Sequence, residues 1–146
     1  MKIRIFDPEN KPNSVEKQEI IDFLFKNLDQ FGDERDDIEK CIDYALKESF
    51  SFGGFILLGY IEETLASVLV INHTGMKGFI PENILVYIAT HREMRGKGIG
   101  KQMIEKAKEL TNGSIALHVE PDNPAKFLYE KQGFTNKYLE MRYIKK

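Results

Sequence analysis

An α/β domain of the α+β kind is the fold class that this sequence predicts. Stretches that alternate with strand period are interleaved with stretches whose apolar residues recur at helical spacing. Two apolar runs, Phe55 to Ile61 and Leu65 to Ile71, are separated only by Glu62-Glu63-Thr64, which is the pattern of an antiparallel hairpin. A third apolar run, Ile84 to Ala89, leads through a glycine-rich basic turn into an amphipathic helix. The length of 146 residues suits one domain, because chains divide only well beyond about 200 residues.

From the N-terminus, Lys2 to Phe6 alternates and forms a first strand, suited to a sheet edge. Ser14 opens a helix whose residues Ile20, Ile21, Phe23, Leu24, Phe25 and Leu28 keep helical spacing, and Gly32 punctuates it. A second helix starts at Asp33 and aligns Ile38, Cys41, Ile42 and Ala45 as one buried stripe, which makes Cys41 a core residue. The hairpin comes next, and after it a loop containing Gly75, Gly78 and Pro81. Ile84 to Ala89 reads as a strand covered on both faces. Beyond the basic turn, Ile99, Met103, Ala107 and Leu110 share one face of a helix that Asn112-Gly113 closes. Ser114 to Val119 is a strand, Pro124 starts a helix that Gly133 ends, and Tyr138 to Ile144 is a last strand.

Composition removes several function classes. With 42% hydrophobic and 30% charged residues the chain builds a real core, so disorder and collagen-like structure are excluded. The longest uncharged apolar runs are seven residues, far short of the roughly 20 that span a bilayer. Asp7 and Pro8 interrupt the N-terminus before a signal-peptide core can form, and the single cysteine, Cys41, can close no intrachain disulfide. A cytoplasmic location without membrane attachment is the expectation. The net charge of -2 is divided unevenly: residues 1 to 82 carry -7 and residues 83 to 146 carry +5. The basic half suits an anionic ligand, whereas no interleaved aromatic and basic pattern points to nucleic acid. No cysteine or histidine pair has metal-ligand spacing.

The basic turn, Arg95-Gly96-Lys97-Gly98-Ile99-Gly100, joins a strand to a helix N-terminus. Unpaired backbone N–H groups and the helix dipole converge there, glycines allow close approach, and Arg95, Lys97 and Lys101 add charge. By itself such a loop is either an anion site or an ordinary glycine-rich turn. It is not a Walker loop, since Lys101-Gln102 comes after Gly100 where Lys-Ser or Lys-Thr is required. Nor is it a Rossmann fingerprint, because Lys101 stands where that motif needs glycine or alanine.

The stretch from Ile88-Ala89-Thr90-His91-Arg92-Glu93-Met94 through Gly100 resembles the acetyl-CoA loop of the GNAT family of N-acetyltransferases, which reads Arg/Gln-x-x-Gly-x-Gly/Ala. Asn123-Pro124-Ala125-Lys126-Phe127-Leu128-Tyr129-Glu130-Lys131-Gln132-Gly133-Phe134 is similar to that family's second element. The resemblance covers residues 84 to 134 strongly, and the preceding order of strand, two helices and hairpin agrees with it. It implies a GNAT fold: a mixed, mostly antiparallel sheet of about six strands, flanked by about four helices, whose fourth and fifth strands splay apart.

The resemblance also implies an activity, acetyl transfer from acetyl-CoA to a primary amine by direct attack. Ile88, Ala89 and Thr90 would bind the pantetheine arm through their backbone, and the amides of Gly96, Lys97, Gly98, Ile99, Gly100 and Lys101 would hold the pyrophosphate, bordered by Arg95. Asn123 and the helix from Pro124 would flank the far side. Direct attack requires a neutral amine, an oxyanion donor and an acid for the leaving thiolate. By resemblance these are an N–H near Ile88 as the donor and Tyr129 as the acid. Tyr129 beside Phe127 and Leu128 equally suits a core position. The glutamate used as base in a histone-type branch aligns with Ile84, which closes that route. A ribosomal-protein-type branch places a glutamate where His118 stands here; histidine titrates near neutrality and can serve as base, while a strand histidine can also simply face solvent.

Some features depart from the family or stay open. Arg92 replaces a frequent proline, and only twelve residues come after Phe134, too few for two long terminal strands. Acceptor recognition would fall on residues 23 to 52 and 73 to 82. There Asp29, Asp33, Glu34, Asp36, Asp37, Glu39 and Asp43 form either a cation site or a solvated helix face, and Phe23, Phe25, Phe31, Phe50, Phe52 and Phe55 form either a pocket or core. The expected partners are acetyl-CoA and an amine acceptor, in a monomer or homodimer. A catalytically silent acyl-CoA sensor of the same fold is the alternative.

Overall fold

The apolar alternation of the chain becomes a five-stranded sheet in the computed structural model, which describes residues 1–146. Strands β1 (Lys2–Phe6), β2 (Gly54–Ile61), β3 (Thr64–His73), β4 (Asn83–Thr90) and β5 (Ile115–Ala116) are neighbours in that order. The first three pairings are antiparallel and the last, β4 with β5, is parallel. A tight turn cannot join parallel neighbours, so helix α3 (Ile99–Leu110) makes the crossover. Helices α1 (Ser14–Asn27) and α2 (Arg35–Leu46) separate β1 from β2, and α4 (Ala125–Lys131) comes after β5. Short 3-10 turns occupy Asp29–Phe31 and Arg92–Met94.

The helices cover both faces of the sheet. On one side Ile20, Leu24, Ile38 and Ile42 pack against Ile56, Val68, Val70 and Tyr87. On the other Ile99, Met103, Ile104 and Tyr129 pack against Leu57, Leu69, Ile71 and Leu85. Because β2 and β3 are covered twice, their sequences are continuous apolar runs instead of alternating ones. Fully burying each such leucine or isoleucine stabilises the fold by about 1.5–3 kcal/mol.

Local chemistry sets the helix ends. Asn13, one residue before the expected Ser14, caps α1: its Oδ1 accepts from Glu16 N at 2.8 Å while Glu16 Oε1 accepts from Asn13 N at 2.9 Å. Asp36 and Asp37 stand in the first turn of α2, where carboxylates complement the helix dipole. That gives the acidity of this region a structural cause. Lys47 ends α2 in the left-handed region at φ 57°, and its N–H bonds back to Asp43 and Tyr44.

Two irregularities in β4 set the shape of this side of the sheet. Its register against β3 skips Val86, since Ile71 faces Leu85 and Val70 faces Tyr87. Its pairing with β5 is confined to Asn83 with Ile115 and Ile84 with Ala116. The two strands are clasped at that end by the side chain of Asn83, 1% exposed, whose Nδ2 donates to Asn112 O at 2.7 Å and Ser114 O at 3.2 Å.

Two strand expectations are corrected. The strand read over Ser114 to Val119 is formed only at Ile115–Ala116, because beyond Ala116 the backbone has departed from β4. Tyr138 to Ile144 forms no strand, and all residues from Thr135 to Lys146 are exposed. Alternation specifies a strand only where a partner edge is in place, and no backbone hydrogen bond is made beyond Lys137. The sheet therefore has five strands where about six were expected, with the four helices as read. No helix is long and apolar enough to cross a membrane.

The Asn83 clasp yields a measurable expectation. Asn83→Ala strands the carbonyls of Asn112 and Ser114 and should destabilise the fold by about 2 kcal/mol in urea unfolding. Hydrogen exchange should accelerate first at residues 112–116; uniform acceleration across the sheet would contradict a local clasp.

Candidate active site

The site begins with the unfinished edge of β4. Past Ile84 this strand has β3 on one side and no strand on the other, so its backbone from Leu85 to Thr90 borders a gap. Ile88, Ala89 and Thr90 lie on this stretch. Two of their carbonyls already accept hydrogen bonds: the buried Ser67 Oγ donates to Ala89 O at 2.8 Å, and Arg95 Nε donates to Thr90 O at 3.3 Å. The Ile88 side chain packs toward the α3 layer, while Tyr87 and Ala89 face α1 and α2.

At the end of the gap the chain turns through the basic loop. Gly96 and Gly98 have φ of 79° and 76°, a conformation that L-residues with a Cβ rarely adopt. The first backbone bond of α3 runs from Gln102 N to Gly98 O, and none of the N–H groups from Arg95 to Lys101 has a protein acceptor. These free donors and the α3 dipole form an anion cradle. Lys97 and Lys101 are exposed beside it and engage no carboxylate. Gly100 allows α4 to approach, since a Cβ there would lie 3.0 Å from Leu128 Cδ2. The cleft so formed has a volume of about 260 Å³ and is lined by Thr90, Met94, the loop and Leu128.

Arg95 is turned the other way. Its Nη2 donates to Asn27 O at 2.8 Å and pairs with Asp29 Oδ2 at 3.2 Å. Arg92 joins it: Nη2 donates to Lys26 O at 2.9 Å and to Asp29 Oδ1, and its N–H to Asn27 Oδ1 at 3.3 Å. Two guanidiniums thus satisfy the carbonyl end of α1 and favour its negative pole. Burial pushes the Asp29 carboxyl up, but its hydrogen bonds from Arg92 and Arg95 outweigh that and hold it below the ordinary carboxylate range. This clamp was invisible in the sequence, because Asp29 and Arg92 are 63 positions apart.

The second motif forms the other wall. Asn123 Oδ1 accepts from Ala125 N at 2.9 Å, so Asn123 organises the start of α4. Tyr129 is 8% exposed and meets Phe134 edge-on at 6.0 Å. Its hydroxyl has no protein partner, yet the sole sealed and unsatisfied side-chain atom of the chain is Asn72 Oδ1, so the hydroxyl keeps access to solvent. Burial pushes its pKa up to about 12, which keeps it protonated near neutrality. His118 lies two residues past the end of β5. Leu117 and Val119 on either side of it pack into the Tyr129 cluster, whereas His118 and Glu120 are exposed. The structure therefore brings the glycine loop, the end of β4 and Leu128 of α4 to one cleft, places Tyr129 in the core cluster beside it, and leaves His118 exposed.

The remaining candidates are also placed. His91 Nδ1 accepts from Glu93 N and caps the turn before the loop. His73 Nδ1 meets Asn83 Oδ1 at 2.8 Å, at the opposite end of β4. Phe23 and Phe55 are core, whereas Phe25, Phe50 and Phe52 are exposed and do not line the cleft at the glycine loop. Burial pushes the Cys41 thiol up to about 12, the state of an inert packing residue. One pair escaped sequence reading: Tyr87 OH donates to Asp33 Oδ2 at 2.5 Å, tying β4 to the entry of α2. No three His, Cys, Asp or Glu side chains gather to hold a metal.

The Asp29 clamp makes a pH-dependent prediction. A carboxyl depressed in the folded state contributes stability above its unfolded pKa and loses it as pH falls through the folded one. Wild type should exceed Asp29→Asn in stability near neutrality, and the two should converge below about pH 4, the ordinary carboxylate range. Urea titrations across pH check this, and a constant difference would show that the pair does not act through charge.

A family profile described as the acetyltransferase (GNAT) domain matches residues 54–136. No curated protein matches the chain significantly. Among solved structures, an aminoglycoside antibiotic 6'-N-acetyltransferase from Acinetobacter haemolyticus is similar at a TM-score of 0.70 and 17% identity, covering 100% of this chain and 99% of that one. A ribosomal-protein-alanine N-acetyltransferase from Brucella melitensis biovar Abortus 2308 aligns at 0.64 and 16%, covering 99% of both. A transcriptional regulator from Bacillus halodurans C-125 aligns at 0.68 and 17%, covering 98% and 99%. At such identities the likeness is one of fold, and its splayed β4 and β5, glycine cradle and α4 wall lie within the matched domain: the chain belongs to the GNAT acetyltransferase family.

Proposed function

We propose that the chain is an acetyl-CoA-dependent N-acetyltransferase that acetylates a primary amine of a small molecule or peptide by direct attack in a ternary complex. The observation that carries this reading is the row of acceptor-free N–H groups from Arg95 to Lys101 continuing the unpaired edge of β4. An extended polar arm ending in a pyrophosphate suits that arrangement, with strand-edge hydrogen bonds for the arm and amides plus Lys97 and Lys101 for the phosphates. Acetyl-CoA would supply the activated acyl group as a thioester. Ile88, Ala89 and Thr90 would orient the arm, with an N–H near Ile88 as oxyanion donor.

Tyr129 is the proton donor for the departing sulfur in this reading. Burial keeps the proton on Oη near neutrality, and the hydroxyl is free of competing partners. Asn123 supports it by fixing the start of α4. His118 is kept as the candidate base on the resemblance alone, since its side chain is exposed and does not line the cleft, and Glu120 two residues on is exposed as well.

Two measurements test the reading. Acetyl-CoA at a hundred times its Kd should add about 2.7 kcal/mol and raise Tm by several degrees, while NAD should not; no shift with acetyl-CoA would overturn the donor site. Tyr129→Phe should reduce kcat by roughly 10²-fold or more with acetyl-CoA affinity nearly unchanged. Undiminished turnover would return Tyr129 to a packing role.

A further inference from the structure

A second cleft lies at the end of β4 opposite the glycine loop, where the connection from β3 meets the turn between α3 and β5. Its volume is about 370 Å³, and it shares no lining residue with the cleft at the loop. From Asn83 to Thr90, β4 spans roughly 23 Å between them, at about 3.3 Å per residue. Phe55, Met76 and Leu110 are the apolar walls, and His73 and Glu82 are polar groups of the lining. A cleft of this size suits a small molecule.

The network behind His73 decides what its ring offers. Asn83 Nδ2 donates to Asn112 O and Ser114 O, which fixes Asn83 Oδ1 as an acceptor. His73 Nδ1, 2.8 Å from that oxygen, therefore carries a proton. In the neutral ring Nε2 is then the lone-pair nitrogen, and it is left without a partner in the chain. An edge contact with Phe55, at 6.4 Å between ring centres, and a bond from Tyr44 OH to His73 O at 2.6 Å hold the residue in place.

Glu82 supplies a second acceptor. It is half-buried, and its carboxylate lies so close over Gly113 that a Cβ there would collide with it. No ion pair of the chain includes it. A carboxylate beside apolar walls loses hydration, and no internal cation offsets that loss. Two acceptors among apolar walls, one of them anionic, select a cationic donor on an apolar body.

We propose that this cleft binds a small protonated amine with an alkyl or aralkyl body, its ammonium on Glu82 and His73 Nε2 and its apolar part against Phe55, Met76 and Leu110. An anionic ligand would meet the Glu82 carboxylate unfavourably, so the site takes the opposite charge to the glycine cradle. It is separate from the place of the acceptor amine and does not depend on the proposed acetyl transfer.

The test titrates the full chain with benzylamine near neutral pH, followed by amide NMR, with benzyl alcohol as the uncharged counterpart. Benzylamine should shift the amides of His73, Met76, Asn83 and Leu110 and leave those of Gly96 to Lys101 in place. Benzyl alcohol should bind at least about tenfold more weakly, and Glu82→Gln should weaken benzylamine by a similar factor with the rest of the spectrum preserved. Leu110→Lys brings an ammonium of the chain's own into the cleft and should abolish binding. No shift, shifts centred on Leu85 to Thr90, an equal response to benzyl alcohol, or undiminished affinity in either variant would each overturn the site. Shifts along β4 would place the amine at the candidate active site instead. Acetyl-CoA is absent from the titration, so a failure of the acetyl-transfer reading leaves this outcome unaffected.

Discussion

Everything at the candidate site depends on how briefly β4 and β5 stay together. They pair at Asn83 and Ile84 and then part, β4 continuing as a strand to Thr90 while β5 ends at Ala116. A buried strand normally satisfies its backbone on both sides, and an unpaired buried edge costs stability unless something else bonds to it. The Asn83 side chain holds the closed end of the wedge, and the packing of Leu117, Val119 and α4 against α3 keeps the other arm in place. The gap is thus a product of rigid elements on either side and does not rely on a flexible loop.

The glycine loop extends the same logic. Seven-residue apolar runs build the sheet, but the loop itself buries only Ile99, which anchors the start of α3 in the core. The approach to the loop is positioned by electrostatics: Arg92 and Arg95 bind the carbonyl end of α1 and the Asp29 carboxylate. Arg92 therefore takes over a stiffening task at a position where a proline would fix the backbone directly. The clamp leaves Lys97 and Lys101 as the free cations near the amides, so the charge available to an anion is smaller than the count of basic residues in the loop suggests.

Burial and exposure divide the polar side chains by task. Tyr129, Tyr87 and Cys41 all have protons held more tightly than in water because burial disfavours their charged forms. Tyr87 and Cys41 spend their polar atoms on internal partners, Asp33 and Asn72. Of the three, Tyr129 alone has a polar atom without an internal partner, although the residue is 8% exposed.

The sequence by itself determined the elements that periodicity and glycine chemistry encode. The hairpin, the helices and the strand, loop and helix around Gly96, Gly98 and Gly100 arise from local spacing, because the physics that forms them acts within a few residues. Tertiary structure decided the rest. Which face His118 presents depends on the packing of Leu117 and Val119 against α3, and the length of β5 depends on where it leaves β4. Asp29 could be linked to Arg92 and Arg95, and Tyr87 to Asp33, only after folding joined distant segments. The tail shows the limit most directly: residues 138 to 144 carry the alternation of a strand, yet alternation fixes only which side chains share a face, and a strand exists only where another backbone supplies its hydrogen bonds.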